Sequence, residues 1–192
     1  MVRPSGRLAR GAFFFAFFSL TMASALKNLS AYDEQNIPSA AGKTFAIVVA
    51  EWNAHITHAL YEGCFDTLVK HGADPERIHT MQVPGSFELA AGARLISGQC
   101  NPDAIICLGC VIKGETNHNE YINYAVANAL AQMSIASGRP CIFGVLTPND
   151  EQQALDRAGG KYGNKGVEAA VTAIRMADLR TAGKANKSAI GF

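Results

Sequence analysis

Between residues 44 and 180 two hydrophobic patterns alternate along the chain. Short, continuous apolar runs are followed by longer stretches with an apolar residue every three or four positions. The first run, residues 44–50 (TFAIVVA), lies between Gly42 and Asn53 and reads as a strand buried on both faces, the pattern of a parallel sheet. Residues 56–71 have helical spacing through Leu60, Cys64 and Leu68, with a stop at Gly72. Residues 77–83 predict a second, more exposed strand, ended by Pro84-Gly85. Residues 87–96 predict a helix stopped by Gly98, 104–112 a third strand, and 120–137 an alanine-rich helix stopped by Gly138. Residues 141–146 predict a fourth strand, and 149–158 and 167–179 two closing helices separated by a glycine-rich bend. There is no internal repeat. This order predicts an α/β fold: a doubly wound, four-stranded parallel sheet flanked by helices on both faces. The single domain spans residues 44–182, with 27–43 as an irregular lead-in and 183–192 as a flexible tail.

Composition narrows the function classes. A chain of 192 residues supports one well-buried domain, and 48% hydrophobic against 17% charged residues marks it as globular. A net charge of +1 provides no basic stripe for nucleic acid. So few charges suggest that some surface is buried against other copies. The five cysteines (Cys64, Cys100, Cys107, Cys110, Cys141) form no disulfide framework. Cys107 and Cys110 have C-x-x-C spacing, but residues three apart on a strand point to opposite faces, so they predict buried free thiols and no metal site. At the N-terminus, Arg3, Arg7 and Arg10, a phenylalanine-rich run and Ala23-Ser24-Ala25 imitate a secretory signal. The run is too short to span a membrane. Odd cysteine usage favours instead an internal start at Met22, or an extension over residues 1–26 outside the fold, and a cytoplasmic protein.

Doubly wound sheets bind ligands at the carboxyl ends of their strands, which directs attention to the strand–helix junctions. After the first strand comes Glu51-Trp52-Asn53, with the only tryptophan; it is either a lid on the core or a platform for a ring whose edge Asn53 fixes. After the second comes VPGSFE, where Glu88 either stabilises a helix start or accepts hydrogen bonds from ligand hydroxyls. After the third, Gly114, Glu115, Thr116 and Asn117 lead into a helix start whose N–H groups suit an anion. His118 stands there, either as a surface group or as a proton carrier near pH 7. Phe143 in the fourth strand reads as core. Arg157, Lys161 and Lys165 among glycines suggest a phosphate or else solvated helix-end cations. Neither a Walker A loop nor a G-x-G-x-x-G after a strand is present. His55 and His58 read as surface groups.

The segments AEWNAHIT, VPGSFEL, GCVIKGETNHNEYI and FGVLTPNDEQQALDRAGGKYGNKG, in this order, resemble the lumazine synthase family of riboflavin biosynthesis over residues 45–176. The resemblance implies a flavodoxin-like fold and a transferase. Its reaction condenses 5-amino-6-(D-ribitylamino)uracil with L-3,4-dihydroxy-2-butanone 4-phosphate to give 6,7-dimethyl-8-ribityllumazine, phosphate and water, with no cofactor and no metal. It further implies roles for individual residues. Trp52 would stack on the pyrimidine, Ser86, Phe87 and Glu88 would line the ribityl chain, and Cys110, Val111 and Ile112 would hold the uracil edge. Glu115 and Thr116 would offer N–H groups to the phosphate, Arg157 would pair with it, and His118 would transfer protons. Phe143 would arrive from a neighbouring subunit. The family implies a homo-oligomer, pentameric or larger, with the active site between subunits and a functional link to riboflavin synthase. Lys113, Asn119 and Ala90 depart from its usual arginine, aromatic and proline. The rival reading is a non-catalytic flavin- or lumazine-binding protein on the same fold.

Overall fold

The computed structural model describes residues 30–33 and 36–189. The signal-like segment and the alternative start at Met22 lie outside them. β1 (Phe45–Ala50) is the centre of the sheet, paired in parallel with β2 (Ile78–Val83) on one side and β3 (Ala104–Cys110) on the other. β4 (Cys141–Leu146) adds in parallel to β3, giving the order β2-β1-β3-β4. The helices are α1 (Ala54–Lys70), α2 (Leu89–Cys100), α3 (His118–Ser137), α4 (Glu151–Asp156) and α5 (Lys165–Ala189).

The run of apolar residues in β1 serves two cores. Phe45, Ile47 and Val49 pack with Ile56, Leu60 and Leu68 of α1 and with Ile174 of α5. Ala46, Val48 and Ala50 face the other side, with Leu89, Ala93 and Ile96 of α2 and Val126 and Leu130 of α3. Each large aliphatic side chain buried this way contributes about 1.5–3 kcal/mol. The same alternation separates Cys107 from Cys110, which lie in opposite cores, as their spacing predicts.

Several boundaries differ from the sequence expectation. α2 runs through Gly98 and stops three residues later, where Asn101 takes a left-handed conformation (φ 47°) and Pro102 follows. Residues 86–88 form a separate turn of 3₁₀ helix ahead of α2, and β3 ends at Cys110, short of Ile112. α3 begins at His118, two residues early. The expected glycine-rich bend is a small antiparallel hairpin, β5 (Ala158–Gly160) with β6 (Gly163–Asn164). Asn164 caps α5: its Oδ1 accepts from the N–H groups of Gly166 (2.7 Å) and Val167 (3.4 Å), so the helix begins at Lys165. The expected tail from residue 183 is helical as far as Ala189.

α5 crosses α1 where Gly166 lies against the main chain of Leu60. A Cβ at this position would stand 1.8 Å from the Leu60 carbonyl oxygen, a backbone atom that has nowhere to go. Gly166→Ala is therefore expected to cost about 3 kcal/mol, read as a lowered midpoint in urea denaturation.

Candidate active site

On either side of β1 the chain leaves the sheet in opposite directions: β1 is followed by the edge strand β2, while β3 and β4 are added on the other flank. Such a switch point opens a crevice at the carboxyl ends of the strands. A cleft of about 820 Å³ lies there. β1 delivers Trp52 and Asn53 to its wall, the turn after β2 delivers Ser86, Phe87 and Glu88, and β3 delivers Cys110, Val111 and Ile112. Thr116 and His118 line it from the start of α3, joined by Asn119, Tyr121 and Ile122.

The walls are apolar and the polar groups few. Trp52 is 73% exposed, Phe87 60% and Tyr121 75%, so three aromatic side chains stand open around the mouth. Ser86 is buried, and its Oγ has no hydrogen-bond partner. Gly109 makes room for it, since a Cβ there would meet Ser86 Oγ at 2.6 Å. Asn119 Oδ1 is also without a partner, in the wall beside His118. The Asn117 carbonyl accepts from the N–H of Glu120 (3.0 Å), while its side chain does not cap α3, so the N–H groups of His118 and Asn119 have no capping acceptor. His118 is exposed at this helix start.

Three expected site residues are elsewhere. Glu115 is exposed and does not line the cleft. Phe143, on the edge strand β4, is half-buried against the second core. Arg157 closes α4 away from the lining: its Nη2 meets Glu168 Oε1 at 2.6 Å, and its Nη1 donates to the Tyr162 carbonyl at 2.8 Å. Glu168 also accepts from Lys165 Nζ (3.0 Å) and Ser30 Oγ (3.1 Å), so one carboxylate holds two cations of the glycine-rich segment. Nothing in the spacing of the sequence marks Glu168 for this. His55, read as a surface group, pairs with Glu151 Oε1 at 2.9 Å. Among the described residues no three His, Cys, Asp or Glu side chains gather as a metal site, and no helix is long and apolar enough to cross a membrane.

A family model described as 6,7-dimethyl-8-ribityllumazine synthase matches residues 42–181. The chain belongs to this family. A relative of that name from Cytophaga hutchinsonii is 50% identical over 155 residues, 81% of this chain and 97% of its own. One from Parabacteroides distasonis is 49% identical over 158 residues, covering 82% and 99%, and one from Bacteroides fragilis 52% over 135 residues, covering 70% and 94%. As a member of the lumazine synthase family, the chain is an enzyme, a transferase of riboflavin biosynthesis.

Burial works against a nucleophilic thiolate at the cleft's cysteine, Cys110. Burial pushes Cys110 up to about 11 and raises Cys64 and Cys107 further; it also raises Cys100 and Cys141, with Arg139 pulling these two back. At pH 8 Cys110 is therefore held as the thiol. Iodoacetamide at pH 8 is expected to leave Cys64, Cys107 and Cys110 intact in the folded protein and to label all five cysteines after denaturation. Labelling of Cys110 at the rate of free cysteine would contradict this.

Proposed function

We propose that this cleft is where 5-amino-6-(D-ribitylamino)uracil condenses with L-3,4-dihydroxy-2-butanone 4-phosphate to 6,7-dimethyl-8-ribityllumazine, and that adjacent copies complete it. The supporting observation is the convergence of Trp52, Ser86–Glu88, Cys110–Ile112 and His118, from three separate strand ends, on one cavity. In this reading Trp52 stacks on the pyrimidine and main-chain groups of residues 110–112 read its edge. Ser86, Phe87 and Glu88 take the ribityl hydroxyls; the unpartnered Ser86 Oγ is a ready donor and acceptor. The open N–H groups after Gly114, at Glu115 and Thr116, take the phosphate.

Phe143 and Arg157, which do not reach the cleft of their own chain, close that of a neighbour. Phe143 caps the pyrimidine pocket and Arg157, held in place by Glu168, pairs with the phosphate. The surface favours such an assembly. α3 carries one acidic residue and no lysine or arginine in its 20 residues, yet Tyr121 and Tyr124 are each 75% exposed and Ile135 84%. Apolar surface of this kind marks contacts between copies. We read the assembly as a pentamer or a multiple of it. The five free thiols suit a reducing cytoplasm, and the product would pass to riboflavin synthase.

The chemistry needs little beyond placement. The 5-amino group attacks the ketone, water leaves as the imine forms, phosphate departs by elimination, and the ribitylamino nitrogen attacks the resulting carbonyl to close the ring with loss of a second water. Holding the two reactants face to face removes about 7–11 kcal/mol of barrier. His118 moves the protons, adding a factor on the order of 10²–10⁴.

Three outcomes follow with both substrates present and lumazine absorbance as the readout. His118→Ala is expected to lower kcat by on the order of 10² without abolishing turnover; wild-type kinetics would remove its role. Arg157→Ala is expected to raise KM for the butanone phosphate about tenfold or more and to leave kcat much less affected. Light scattering is expected to give a mass that is a multiple of five chains, and a monomer would sink the shared site.

A further inference from the structure

Two non-glycine residues among those described have positive φ, Asn53 and Asn101. Asn101 ends α2, and its Oδ1 accepts from Arg139. Asn53 (φ 59°, ψ 47°) stands at the switch point of the sheet, immediately after Trp52. Its carbonyl starts α1 by accepting from the N–H groups of Ile56 (2.8 Å) and Thr57 (3.0 Å). Its side-chain Nδ2 donates to the main-chain carbonyl of Cys110 at 3.0 Å.

This bond lies beyond the last β1–β3 ladder pair, Val49 with Leu108, so it is the side chain that keeps the two strand ends together where backbone pairing has stopped. On the other flank, the N–H of Val111 donates to the Leu146 carbonyl (2.9 Å) and that of Lys113 to the Pro148 carbonyl (3.0 Å). The main chain of residues 110–113 is thereby pinned from both sides. Trp52 is tied too, its N–H donating to the Pro84 carbonyl at 3.2 Å.

Residue chemistry restricts the position. Near φ 60° only glycine, asparagine and aspartate are comfortable. Of these, glycine has no side chain and aspartate would turn a carboxylate towards a carbonyl oxygen. Asparagine alone offers both the backbone conformation and a donor.

We propose that Asn53 is a positioning residue for the condensation: its left-handed backbone and its amide set the Trp52 platform at a fixed distance from the strand end that reads the pyrimidine edge. It acts through Trp52 and Cys110, and the inference rests on the reading of the cleft given above. It predicts a selective effect. The pyrimidine side of the site loosens when the bond is lost, while the phosphate side, at the start of α3, does not.

The test is Asn53→Gly, which keeps the left-handed conformation and removes only the amide, with Asn53→Asp as the second variant. Each is made in the full-length chain. Trp52 is the single tryptophan, so quenching of its emission by the ribitylaminouracil reports the platform directly. Asn53→Gly is expected to weaken that binding, and to raise KM for the ribitylaminouracil, roughly five- to tenfold. KM for the butanone phosphate should stay within about twofold, and the melting temperature within a few degrees. Asn53→Asp should be at least as impaired. Unchanged binding and KM in Asn53→Gly would overturn the proposal; so would an equal rise in both KM values with a collapsed melting temperature, the mark of a purely structural role. A wild-type chain without activity would overturn the reading of the cleft together with it.

Discussion

A parallel strand with neighbours on both sides must send its chain out at the same edge of the sheet as they do. β1 is such a strand: it is hydrogen-bonded to β2 and β3 and buried on both faces. Its two neighbours belong to opposite directions of winding, so the connecting helices diverge and cannot fill the space between them. The cleft is the consequence. Trp52, Ser86–Glu88 and Cys110–His118 are far apart in sequence, and one geometric constraint brings them to one mouth.

What occupies that mouth is mostly apolar, with its main-chain groups already committed. The loop after β1 is bonded to the end of β2 through Glu51 and Trp52, and to the end of β3 through the Asn53 amide. The polar side chains left to line it are few: the Ser86 hydroxyl, the Glu88 carboxylate, Thr116, Asn119 and the His118 imidazole. A reaction that runs mainly on proximity needs a rigid cradle of this kind more than a strong acid or base. The cations that would balance a phosphate, Arg157 and Lys165, are held by Glu168 on another part of the surface, away from this mouth.

The parts of this arrangement that could be read from the sequence are those carried by hydrophobic pattern. Phe45–Ala50 and Ala104–Cys110 announce buried parallel strands because every residue in them is buried, and the ligand rule for parallel sheets then singles out the junctions. Boundaries set by single side chains were not legible. α2 ignores Gly98 because a glycine on an exposed helix surface is merely unfavourable, whereas Asn101-Pro102 ends the helix outright. β5 and β6 are too short to carry a period. The Asn164 cap, the Arg157–Glu168 pair and the Asn53–Cys110 bond each join residues whose proximity depends on tertiary packing. Composition carries no trace of them.

The central claim is that one chain supplies the cradle and its neighbour the closing residues, and subunit complementation tests it most directly. Trp52→Glu spoils the cradle, Arg157→Glu spoils the phosphate clamp, and each protein alone should turn over slowly. Refolded together in equal amounts, chains of the two kinds assort into sites, of which about a quarter combine an intact cradle with an intact clamp. Recovery of activity to about that fraction of wild type is the expected result. A mixture no more active than the mean of its two parents would show that each site is built within one chain, and would contradict the account.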